Sequence, residues 1–118
     1  MKTYSSEKLK DDNPALYNEV MEAVRLNLPN IETAVRDILI KESYQAAVYS
    51  TFVRMVDETT NETLHIEIRT SHFLGLFSMI YTKLENVTQY ETFAAYEAAR
   101  LAMIAKYPAT QHGGIRLK

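Results

Sequence analysis

No cysteine occurs anywhere in the 118 residues, which excludes a disulfide framework, a thiolate metal site and a thiol nucleophile. Tryptophan is absent too, and three glycines and three prolines are too few for a linker-rich or low-complexity polymer. Long apolar runs are missing: no window approaches the roughly 18 apolar residues of a membrane span. The opening "MKTYSSEKLKDDNP" is polar where a signal peptide would need an apolar core, so the expectation is a cytoplasmic protein with no membrane association. A surplus of one charge is lacking as well. Thirteen basic and fifteen acidic residues are interspersed and give a net charge of −2. Phosphate-driven nucleic-acid binding calls for clustered Lys and Arg, so it is not favoured.

What is present suits an ordinary folded domain. With 47% hydrophobic and 24% charged residues, the chain can bury enough apolar surface to offset its conformational entropy. The expectation is one domain over 1–118, with 1–12 and 109–118 as mobile tails. Asn13 suits a helix N-cap and Pro14 the first helical position. Leu16, Val20, Ala23, Val24 and Asn27 then recur at helical spacing. "NLPN" breaks that pattern, since Pro29 disfavours helical geometry at Leu28. A second apolar face follows in Ile31, Ala34, Val35, Ile38 and Leu39. The pair reads as an αα-hairpin.

Strands come next. Leu64, Ile66 and Ile68 alternate strictly with His65, Glu67 and Arg69, the signature of a strand with one buried face. Its nearest partner is the β-rich run "YQAAVYSTFVRMV" from Tyr44, across the polar turn "DETTNET". Residues 73–84, "FLGLFSMIYTKL", satisfy both helical and strand patterns; Gly75 and "FSMIY" favour a third strand, with helix the alternative. Thr88 and Glu91 stand at capping-box spacing before an alanine-rich helix that ends at Tyr107 and Pro108. The fold class is therefore α+β: an αα-hairpin, a three-stranded antiparallel sheet, and a C-terminal alanine-rich helix packed on it.

Chemistry is sparse. No nucleophile elbow, phosphate-binding loop or dinucleotide fingerprint occurs, so an enzyme is not the favoured reading, and no catalytic residue, metal ligand or cofactor is assigned. Arg54, His65, Glu67 and Arg69 form a candidate polar sheet face, read as a solvated, self-compensating charge row. A metal site would need His65 and Glu67 to converge with a third ligand such as His72. On the last helix, Ala94, Ala98, Leu101, Ala102 and Ala105 share a face suited to lying flat on the sheet. That leaves Phe93, Tyr96, Arg100, Met103 and Tyr107 as a candidate interaction surface.

The functional expectation is a non-catalytic protein-interaction module, self-associating as a homodimer. Alternatives are a nucleic-acid accessory factor using the outer sheet face, and, behind it, a small-molecule pocket or enzyme. A three-stranded sheet backed by a helix resembles, in architecture alone, the plant-type sheet-reading DNA-binding domains. Here the spacing between second strand and helix is longer, and Glu67 would repel phosphate.

Overall fold

The computed structural model describes residues 1–42, 46–106 and 115–117. Its order is β1 (Lys2–Ser5), α1 (Ser6–Asp12), α2 (Pro14–Glu42), β2 (Ala46–Val56), β3 (Thr63–Leu74), β4 (Ile80–Tyr90), α3 (Phe93–Lys106) and β5 (Ile115–Leu117). A 3-10 turn, Leu76–Ser78, joins β3 to β4. The strands make one sheet in the order β1-β4-β3-β2-β5, with every neighbouring pair antiparallel. The α+β class, the antiparallel sheet and the C-terminal helix are thus as expected.

Two helices lie between β1 and β2, but the break between them is at Asn13. The Asn13 side chain accepts from the Leu16 N–H at 3.2 Å and caps α2, as its sequence position implies. The expected break at 28–30 does not occur, and α2 runs through Pro29 as one helix of 29 residues. Pro29 costs the Arg25 carbonyl its usual donor, yet both residues lie on the exposed side, where solvent can replace it. The apolar stripe decides the outcome. Leu16, Val20, Val24, Ile31, Val35 and Leu39 are all buried, at spacings of four and seven that keep phase across the proline.

That stripe lies on what we term the inner face of the sheet. Its first half packs with Leu9, Leu64, Ile66, Ile68, Leu84 and Val87, and its second half with Ala47 and Tyr49. At about 1.5 Å per residue α2 extends roughly 43 Å, so one helix spans the 44 Å length of the molecule.

The chain ends need correction. Residues 1–12, expected as a tail, form β1 on the edge of β4 and α1, whose Leu9 is wholly buried. Within the expected C-terminal tail, Ile115–Leu117 pair with Ala47–Tyr49 of β2. The other tail residues lie outside the described set, as do Tyr44 and Tyr107. The run 73–84 is neither one strand nor a helix. It holds the end of β3, a turn opened by Gly75, and the start of β4, with Phe73 opposite Tyr81. Thr88 sits within β4 opposite Glu67, so the helix cap is Thr92, whose hydroxyl accepts from the Ala95 N–H at 3.1 Å.

Candidate functional site

Strand alternation sends Phe52 and Arg54 of β2, His65, Glu67, Arg69, Ser71 and Phe73 of β3, and Tyr81, Lys83, Thr88 and Tyr90 of β4 to the outer face of the sheet. The four expected polar-face residues therefore share one side, and Arg54 pairs with His65 across the strands. The solvated reading fails for Glu67, which is 5% exposed. Its carboxylate accepts from the Tyr90 hydroxyl at 2.6 Å and, more loosely, from Arg69 at 3.4 Å. Burial, then the adjoining Glu67 carboxylate, pushes the Tyr90 phenol well above its ordinary range.

Helix α3 covers this end of the outer face, with an orientation opposite to the expected one. Tyr96 is buried against the sheet, its ring 5.8 Å from Phe52 and 5.7 Å from His65. Phe93 lies 5.9 Å from His65, and the Arg54 guanidinium stands 5.1 Å over the Phe93 ring. Arg100 and Met103 are half-buried, and Arg100 pairs with Glu97 one turn earlier. Ala94, Ala98, Leu101, Ala102 and Ala105 are all exposed. The reason is the surface α3 meets. With the apolar inner face occupied by α2, the last helix meets large polar and aromatic side chains, between which methyl groups leave gaps. A buried tyrosine ring removes about 200 Å² from water, several times the area of a methyl group, and gains edge-on ring contacts besides. The two candidate sets are thus one assembly, with the rings of His65, Phe93 and Tyr96 in mutual contact. Nδ1 of His65 is buried with no hydrogen-bond partner among the described residues.

This cluster is poorly suited to chemistry. The metal alternative is divided by the sheet, because His72 lies on the inner face. There its ring nitrogens meet the Thr70 hydroxyl at 2.8 Å and the Thr82 hydroxyl at 3.0 Å. Among the described residues no three acidic or histidine side chains gather as metal ligands, and none of the helices is long and apolar enough to cross a membrane. An open cleft of about 310 Å³ lies between the start of α2 and the β2–β3 turn, lined in part by Glu19, Asp57 and Glu58. The partial positive charge of the helix start is opposed there by carboxylates, so the cleft selects neither anion nor cation strongly.

The most exposed apolar surface lies instead at the far end of the β3–β4 hairpin. Phe77 is 95% exposed and Leu76 78%, and Met79, Phe73 and Tyr81 are also exposed. Phe77 and Ser78 both have φ near +60° in a turn with no glycine at either position, a conformation that costs a bulky residue on the order of 1–3 kcal/mol. Gly75 lets the chain pass the Tyr81 ring, since a Cβ there would collide with it. Arg36 of α2 donates to the Ser78 carbonyl and ties the turn to the long helix. Leu76, Phe77 and Met79 are not among the expected site residues, because a strand over 73–84 puts them inside the sheet. Gly75 was the available signal of the turn. Comparison of the chain with family models, with curated proteins and with solved structures finds no match to any of them.

Proposed function

We propose that this domain is a non-catalytic protein-interaction module that associates with itself. The observation that carries the reading is the hairpin end, where large apolar side chains stand in water on a turn that is itself strained. Isolated exposed apolar residues are ordinary, but five within nine positions of one hairpin make a patch of the kind found at protein contacts. The nucleic-acid alternative gains nothing from the outer face. Arg54 is engaged over Phe93, Arg69 leans on Glu67, and α3 lies across the strands. Sedimentation equilibrium of the full chain should show dimers at tens of micromolar, on the order of a weak self-association constant. A strict monomer at a hundred micromolar or so would refute the reading.

A further inference from the structure

We infer that the occupant of the hairpin end is the same hairpin of a second copy, packed about a two-fold axis. The inference rests on the self-association proposed above and names the surface responsible.

The hairpin carries two complementary shapes. Phe73 and Tyr81, directly opposite each other across β3 and β4, form an exposed aromatic shelf on the outer face of the sheet. Leu76, Phe77 and Met79 form a knob beyond it, held by the positive-φ turn and by the Arg36 contact to Ser78. A two-fold interface requires one surface that complements itself, with residue i touching j and j touching i. Knob on shelf meets this requirement within a single hairpin: Phe77 of each copy lies on the Phe73–Tyr81 shelf of the other. The area is of the right order as well. At about 200 Å² for a whole aromatic side chain, the exposed parts of these five residues offer roughly 600 Å² per copy. That is close to the ~800 Å² per partner of a standard stable interface, before any rim contributes. Lys83, two residues from the shelf on the same face, and Glu85, at the bulge in β4 and held at one oxygen by the Ser71 hydroxyl at 2.7 Å, provide a polar rim of both signs.

The test is sedimentation equilibrium with substitutions confined to exposed positions. Phe77→Asp in the knob and, separately, Phe73→Asp on the shelf should each weaken self-association on the order of 100-fold, while far-UV circular dichroism and a cooperative urea transition of the dilute chain show that both variants still fold. Leu101→Asp, on the exposed face of α3, should leave association within about twofold of the parent. If Leu101→Asp dissociates the dimer and the hairpin variants do not, self-association stands and the hairpin assignment is overturned. If the knob variant dissociates the dimer and the shelf variant does not, the knob-on-shelf geometry is overturned. A parent chain that is monomeric throughout overturns the self-association itself. Because the chain has no cysteine, a second readout is available from mixing a Leu76→Cys chain with a differently sized Tyr81→Cys chain. Under mild oxidation of an equimolar mixture the mixed disulfide should clearly exceed the two like-with-like products combined, which random pairing would make equal to it. A dominant like-with-like product would oppose the assignment.

Discussion

Lowering the pH should destabilise this protein through His72, by an amount its burial determines. The ring is wholly buried on the inner face, edge-on to Tyr49, and its nitrogens are used by Thr70 and Thr82. Desolvation lowers its pKa from 6.5 to about 4. The folded state therefore binds a proton less readily than the unfolded chain. Stability is fully present above pH 6.5 and is lost progressively as the pH falls toward 4. Between pH 7.5 and pH 5 the difference amounts to about 2 kcal/mol from this one residue. Carboxylates also titrate below pH 5, so the measurement is a comparison. Urea unfolding of the parent and of His72→Gln at pH 7.5, 6 and 5 should show the parent losing roughly 2 kcal/mol more than the variant. Proton NMR of the His72 ring should show no titration until the pH nears 4. Parallel stability curves, or a ring that titrates near 6.5, would refute the reasoning.

Three further outcomes are expected. Pro29→Ala should raise stability by about 1–3 kcal/mol, because it restores an interior helix donor on the exposed side of α2 and loses little unfolded-state stiffness; a lower urea midpoint would mean that the helix needs its proline. Tyr90→Phe should cost about 1–3 kcal/mol, since the buried Glu67 carboxylate loses its 2.6 Å bond and keeps only the longer contact to Arg69. In the parent, ultraviolet titration should find the Tyr90 phenol among those still neutral after the exposed tyrosines have ionised. At dilutions where the chain is monomeric, Phe77→Asn should raise the unfolding free energy by up to about 1 kcal/mol, because Asn tolerates positive φ and the 95% exposed ring contributes no burial to the monomer. A fall in midpoint would show that Phe77 packs within one chain.

The inner core was legible in the sequence because it obeys one period per element. Leu64, Ile66 and Ile68 alternate, Leu16 to Leu39 recur at helical spacing, and both sets are buried. Pro29 signals a break by a local rule, whereas the apolar stripe keeps one phase on either side of it. Three buried residues before the proline and three after it outweigh one missing donor. The orientation of α3 was illegible for a different reason. Its two faces, one of alanines and one of aromatics, are both apolar enough to pack, so the choice depends on the surface opposite. That surface depends on α2, with Leu9 of α1 beside it, occupying the inner face. Glu67 illustrates the same dependence: alternation puts it on the outer face, while the Tyr90 hydroxyl that meets its buried carboxylate comes from far along the chain.

The location of the surplus apolar surface follows from this division of labour. α2 extends the length of the molecule and satisfies the inner face from the Leu64 end to the Ala47 end. α3 has only 14 residues, begins directly after β4, and makes its ring contacts with Phe52, Arg54 and His65 at the end of the sheet where β4 finishes. The hairpin turn lies at the opposite end, where Phe73 and Tyr81 stay exposed although their register matches that of the covered residues. Had the turn carried glycine or asparagine at 77 and 78, it would form the same hairpin with less strain and little apolar area. Phenylalanine at φ +58° contributes no burial to the isolated domain. Its placement becomes physically economical when a second molecule removes it from water.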